Sequence, residues 1–108
     1  MDNLKRRSDL CLEAWMNCED LLAKISETDY FSHRLKKVID ECAHICLGTF
    51  HAIKTHSIHT AQLALLCLGI CEECAEACDE YDDVHFQLCA QACRNCSRSI
   101  KEIAGAAV

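Results

Sequence analysis

Cysteine is the residue type in this 108-residue chain that is most able to do chemistry, because the chain contains eleven of them. Most are spaced three or four positions apart, and on a helix such residues share a face, with Cβ atoms about 5–6 Å apart. Two sulfur atoms placed in this way can bind a metal ion between them. The pairs at a spacing of four are Cys42/Cys46, Cys67/Cys71, Cys74/Cys78 and Cys89/Cys93, and those at a spacing of three are Cys71/Cys74 and Cys93/Cys96.

Disulfide bonds are the other common use of so many cysteines. Disulfide scaffolds belong to exported proteins and are rich in turns, whereas this chain has no proline and only three glycines. The number of cysteines is odd, and the residues before Cys11 lack the apolar run of an export signal. We therefore expect free thiols and a cytoplasmic location.

The charge of buried thiolates distinguishes between the candidate metals. A thiolate in a protein core is costly unless a cation cancels its charge locally. Zn(II) bound by four thiolates leaves two negative charges, whereas one Cu(I) per thiolate leaves none, and Cu(I) is a soft ion that prefers sulfur. The pattern favours several Cu(I) ions. Zinc-binding Cys/His sites, or a redox-responsive helical oligomer, are the alternatives.

Other functions are less compatible with the sequence. A net charge of −6 disfavours nucleic acid or an anionic membrane surface as a partner, and the longest apolar stretch, residues 63–70, is too short to span a bilayer. Glu41 and His44 have the Glu-x-x-His spacing of di-iron bundles, but they flank the apolar face of their segment. Because no nucleophile with a neighbouring base can be identified, we expect a binding protein and not an enzyme.

Three polar clusters, at residues 26–29, 54–57 and 79–83, divide the chain into four segments. In each segment apolar residues and cysteines recur at alternating steps of three and four, which is the pattern of a helix with one buried face. Four such helices with short connections predict an antiparallel up-down-up-down four-helix bundle. The fold class is therefore all-α, with residues 1–108 in a single domain.

The same pattern predicts which side chains face the bundle axis. All eleven cysteines fall on the predicted inward faces. In the first helix the inward residues are expected to be Leu4, Ser8, Cys11, Trp15, Cys18, Leu22 and Ile25. The expected helix caps are Thr28 or Asp29 for the second helix and Asp82 or Asp83 for the fourth.

The third segment is apolar on every side. One buried face cannot accommodate all of its large side chains, so this helix is expected to contact something besides its own bundle. We expect a subunit interface there and a homo-oligomer. The residues concerned are Leu63, Leu65, Leu66, Leu68 and Ile70.

The cysteine pattern as a whole resembles that of the cysteine-rich four-helix-bundle copper storage family. The resemblance is carried by Cys67-x3-Cys71-x2-Cys74-x3-Cys78, by Cys89-Ala-Gln-Ala-Cys93-x2-Cys96, and by Glu41-Cys42-Ala43-His44-Ile45-Cys46. It implies a homotetramer of bundles whose cysteines are filled with Cu(I) for storage in the cytosol. The metal ligands would be Cys11, Cys18, Cys42, Cys46, Cys67, Cys71, Cys74, Cys78, Cys89, Cys93 and Cys96.

The sequence departs from the family pattern at several inward positions that are often cysteine. These positions are here Leu4, Ser8, Trp15, Leu22, Leu35, Ala64, Phe86 and Ile100. We therefore expect a lower copper capacity, with Trp15 and Phe86 interrupting the file of thiols.

The two ends of the predicted bundle differ in polarity. Helical rise places Cys78 near the end formed by the first and third connections, where His85 and His33 also lie. A metal ion needs a polar route, so we expect Cu(I) to be admitted there, with His85 as a transient ligand and His33 as a helper. The resemblance implies the same end, because the family carries histidines before the fourth helix. An apolar plug of Leu4, Ile53 and Ile103 is expected to close the other end.

Overall fold

A computed structural model describes residues 3–107, and it contains four long helices. The helices are α1 (Asn3–Ile25), α2 (His33–Thr55), α3 (Thr60–Cys78) and α4 (Val84–Gly105). Each packs against its neighbours in the chain, and α4 also packs against α1, which closes a bundle of 41 × 24 × 20 Å. The predicted antiparallel four-helix bundle is confirmed. Met1, Asp2 and Val108, the ends of the predicted domain, lie outside the described residues.

The connections at one end of the bundle set the starts of α2 and α4. The Leu35 N–H donates to Ser32 Oγ at 3.1 Å, so Ser32 is the cap of α2 and the prediction of Thr28 or Asp29 is wrong. The first connection extends to Ser32, three residues beyond the end of the polar cluster at residues 26–29. At α4, the His85 N–H donates to Asp83 Oδ1 at 2.8 Å, which confirms Asp83 as the cap.

The inward face of α1 differs from the prediction in its register. Ala14 and Leu21 are buried, at 0% and 2% exposure, whereas Trp15 and Leu22 only pack against the edge of the core. After Cys11 and after Cys18 the inward line takes a step of three where the prediction took a step of four. Because a helix turns every 3.6 residues, these two steps fall on either side of each cysteine, and in α1 the side reached by the step of three faces the core. Trp15 therefore does not interrupt the file of thiols.

The outer face of α3 remains apolar near its start. Leu65 and Leu66 are 42% and 55% exposed, whereas Leu68 and Ile70 are partly covered by the core of their own bundle. Over the residues that the structure describes, none of the four helices combines the length and the apolarity that a membrane span requires.

Candidate metal centre

The bundle axis is lined with sulfur. All eleven cysteines have an exposure of 0%, and all are free thiols. Each helix supplies at least two of them because the repeated spacings of three and four keep successive cysteines on one helical face. The inward placement predicted for the cysteines is confirmed for every one.

Three groups of thiols are close enough to share metal ions, and in each of them the Sγ atoms all lie within 4.8 Å of one another. We call them the middle, second and third sets. The middle set is Cys18, Cys42, Cys74 and Cys93, with one residue from each helix. The second set is Cys46, Cys67, Cys71 and Cys96, and the third is Cys74, Cys78 and Cys89.

These sets are parts of one continuous file. Cys74 belongs to both the middle and the third set, and Cys18 Sγ lies 3.7 Å from Cys89 Sγ. The middle and second sets meet where Cys42 Sγ lies 3.9 Å from Cys71 Sγ. Beyond the second set, Cys11 Sγ lies 3.5 Å from Cys96 Sγ. A metal ion bound at any position in the file is therefore separated from the next position by a single contact between sulfur atoms.

The thiols titrate together because they hydrogen-bond to one another in an apolar core. Hydrogen bonds with Cys42, together with burial, raise the pKa of Cys18 and of Cys71. Hydrogen bonds from Cys18 lower the pKa of Cys42 and of Cys93. Among the described residues, the buried polar side chains are Ser8, Thr49 and Ser97, none of which carries a positive charge. A soft cation that replaces the thiol protons would supply the missing positive charge.

Comparison with known proteins agrees with this core. The model of a protein family described as Csp, copper storage protein, matches residues 1–105. The chain belongs to this copper storage family. The uncharacterized cysteine-rich protein YhjQ of Bacillus subtilis is 32% identical to this Csp chain, over 94% of this chain and 99% of that protein.

Two solved structures share the fold. The Cu(I)-bound copper storage protein BsCsp3 superposes with a TM-score of 0.88 at 27% identity, over 95% of this chain and 99% of that one. The apo form of Csp3 from Bacillus subtilis gives a TM-score of 0.85 at 28% identity, over 93% and 97% of the two chains.

In this Csp chain the two ends of the bundle also differ in charge. The half that contains residues 14–44 and 70–94 carries thirteen of the acidic residues and five of the basic ones. The other half carries four acidic and six basic residues. We call them the acidic end and the basic end. The third set of thiols lies toward the acidic end, and the second set lies toward the basic end.

At the basic end, hydroxyl and aliphatic side chains follow the thiols. Ser8 and Thr49 are completely buried and donate to the carbonyl oxygens of Lys5 and Ile45, at 2.9 and 2.8 Å. The predicted apolar plug is confirmed for Ile53, at 5% exposure, and for the partly buried Ile103. It is wrong for Leu4, which is 39% exposed and lines a surface cavity together with Ile53.

At the acidic end, the structure does not bring the two predicted histidines together. His85 is exposed and lines a cavity of about 330 Å³ together with Asp82 and Asp83. His33 is also exposed, but it lines a separate cavity beside Glu41. Of the two histidines, His85 is the one that lines the same cavity as Tyr81 and Phe86.

Two further features bear on the predicted chemistry. Glu41 and His44 are both exposed, and His44 Nδ1 lies 2.8 Å from the carbonyl oxygen of Asp40, so the Glu-x-x-His pair points away from the axis as expected. Phe31, which the sequence pattern does not mark as a core residue, packs against the core from the first connection. Its signal was a large apolar residue within an otherwise polar connection.

Proposed function

We propose that this chain stores Cu(I) in the cytoplasm on the thiolates of its eleven inward cysteines. The observation that carries the proposal is the continuous file of buried free thiols. The shortest distance between their sulfur atoms is 3.4 Å, the sulfur atoms within each set lie within 4.8 Å of one another, and the described buried side chains carry no positive charge. Membership of the copper storage family and the likeness to Cu(I)-bound BsCsp3 support the same function.

The arrangement of the sets favours Cu(I) over Zn(II). Each thiol that binds Cu(I) releases one proton, so the loaded core stays neutral along its whole length. Zn(II) in the middle set would leave two negative charges in contact with the thiols of both neighbouring sets. Cys74 is also shared between two sets, which suits bridging thiolates better than separate closed tetrahedral sites.

A reducing compartment suits these thiols. Cys46 Sγ and Cys71 Sγ are only 3.4 Å apart on neighbouring helices, and other pairs are nearly as close. Oxidising compartments convert such pairs to disulfides, whereas the cytosol keeps thiols reduced. The close spacing of the thiols therefore supports the cytoplasmic location, since oxidation would consume the ligands.

The oligomer proposed is a homotetramer that covers the outer face of α3. Leu65 and Leu66 expose a large fraction of their side chains on this face, next to Gly69, which leaves room for a close approach. A second copy of the chain that presents the same apolar face is the matching occupant, since self-complementary contacts are the rule in symmetric oligomers.

The acidic end is the proposed place of copper uptake, with His85 as a transient ligand. The concentration of carboxylates there attracts cations, and His85 lies at the rim of the cavity next to the aromatic residues. His33 lies in a different cavity, so a helping role for it would require a second path by which copper reaches the thiols.

Competition between the two metals tests the storage function. The reduced protein is mixed anaerobically with equal amounts of Cu(I) and Zn(II), each in excess over thiol, then desalted and analysed for both metals. We expect several copper ions per chain and little zinc. Retention of zinc alone, or of neither metal, would contradict the proposal.

A further inference from the structure

Three aromatic rings pack together at the acidic end. Phe31 belongs to the first connection, Tyr81 to the third, and Phe86 to the first turn of α4. The ring centroids of Phe31 lie 5.5 Å from those of both Tyr81 and Phe86, and the Tyr81 and Phe86 rings stack at 4.5 Å. We call these three residues the aromatic cluster.

The aromatic cluster lies directly beyond the third set of thiols. The Tyr81 N–H donates to the carbonyl oxygen of Cys78 at 3.1 Å, and Phe86 precedes Cys89 by one helical turn. Phe86 is only 3% exposed, and the other two rings pack against the same core. Since Cys78 and Cys89 have an exposure of 0%, these rings belong to the layer that separates the last thiols from water.

The basic end is closed in a different way. Its covering side chains, such as Thr49, Ile53 and Ile100, all stand within helices. Opening the backbone that carries them would require breaking hydrogen bonds of the helix. Phe31 and Tyr81 stand on connections outside the helices, where local opening costs much less.

The segment that carries Phe31 is attached at two points. Lys36 Nζ donates to the carbonyl oxygen of Thr28 at 2.6 Å, and Ser32 is anchored as the cap of α2. Between these two points lie only Asp29, Tyr30 and Phe31. Tyr30 is 83% exposed, so the core contact of this short arm is made by Phe31.

The neighbouring cavity provides room for a displaced ring. All three residues of the aromatic cluster line the cavity of about 330 Å³, and Leu21 and Ile25 form its apolar wall. An apolar cavity of about 150 Å³ accommodates a benzene molecule. A phenyl ring of the cluster therefore fits into this cavity when it leaves the core.

We propose that the aromatic cluster is the gate for copper exchange, and that it opens when Phe31 and Tyr81 swing away from Cys78. The gate admits Cu(I) to the third set of thiols, from which it passes along the file. This inference rests on the storage function, and it adds the residues that control the rate of filling and emptying. The gate does not affect the number of ions that the core holds.

The test compares Phe31→Ala and Tyr81→Ala with two matched aromatic controls. Trp15→Ala removes a partly buried ring that packs against the core from α1, and Phe50→Ala removes a partly buried ring near the basic end. Loss of the ring contacts should accelerate Cu(I) uptake, and its removal by a chelator, on the order of tenfold in the first two variants. The controls should keep the native rates, and all four should keep the native capacity.

Thiol labelling of the reduced apo protein gives a readout that does not depend on copper. A maleimide reagent, with mass-spectrometric mapping at short times, should modify Cys78 and Cys89 first, and faster in Phe31→Ala. Lys36→Met, which frees the arm without touching the core, should have the same effect if Phe31→Ala fails to fold. First labelling at Cys11 or Cys46, or rates that no variant changes, would overturn the gate. If labelling follows this order but copper does not bind, the opening at the aromatic cluster stands, and what fails is the storage function on which the copper role of the gate rests.

Discussion

The thiols differ in how many other thiols lie close enough to share a metal ion with them. Cys74 belongs to two sets, whereas Cys11 lies at one end of the file, with its Sγ 3.5 Å from that of Cys96. We expect Cys74→Ala to lower the copper capacity by more than one ion per chain, and Cys11→Ala by about one or less. Metal analysis of both loaded variants checks this. Equal losses would show that the ions bind to thiols independently.

His85 is expected to affect the rate of loading and not the amount. Its imidazole binds Cu(I) more weakly than a thiolate and can pass the ion inward. His85→Ala should therefore slow uptake several-fold and leave the capacity unchanged, as followed by stopped-flow transfer from a chelator. His51→Ala, which removes an exposed imidazole toward the basic end, is the control. Slowing in the control alone would move the uptake site to that end.

Protonation of the thiols sets the pH dependence of the apo protein. Hydrogen bonds with Cys42, and burial, raise the pKa of Cys18 and Cys71 above the ordinary value of 9.0. A pKa raised by folding stabilises the native state fully below the unfolded pKa, and that contribution is lost as the pH rises. Above about pH 9 the apo protein should lose up to about 1.4 kcal/mol per pH unit for each such thiol.

Urea unfolding of the apo and the Cu(I)-loaded protein between about pH 8 and about pH 10 measures this loss. The loaded protein should change little, because its thiol protons have been replaced by metal. A loaded protein that loses stability as steeply as the apo protein would mean that these thiols are not ligands.

At the level of the helices, the outer face of α3 determines assembly. Leu65→Glu combined with Leu66→Glu should dissociate the oligomer, since a desolvated charge in an interface costs several kcal/mol in order of magnitude. Leu88→Glu on α4, where the leucine is 54% exposed, is the matched control and should leave the assembly intact. Light scattering after size-exclusion chromatography gives the masses. A native protein that is already monomeric would contradict the proposed interface.

The helices could be predicted from the sequence because cysteines mark their inward faces so densely. The register of α1 was predicted less well, since only Cys11 and Cys18 mark its inward face. Between them, the large apolar Trp15 was a stronger candidate for the inward position than the small Ala14, which is the residue that is buried. The cap of α2 was missed because Ser32 competes with several other good capping residues upstream. The aromatic cluster could not be predicted, as its contacts join two connections that are about 50 residues apart in the sequence.

For the molecule as a whole, the fold should not depend on metal. Aliphatic layers such as Ile39 and Ile100, both at 0% exposure, pack the bundle around the thiols. We expect helical circular dichroism from the reduced apo protein and a higher melting temperature after loading, because Cu(I) binds only the native state tightly. An apo chain without helical signal would mean that the metal drives folding, as in zinc fingers.

The stoichiometry of Cu(I) binding tests the storage function most directly. The reduced protein is titrated anaerobically with Cu(I) against a competing chelator, and the copper retained after desalting is counted per chain. A core in which every one of the eleven cysteines is a ligand should saturate at about eleven ions. Saturation at one or two ions would mean that the file of thiols is not a store, and would contradict the account.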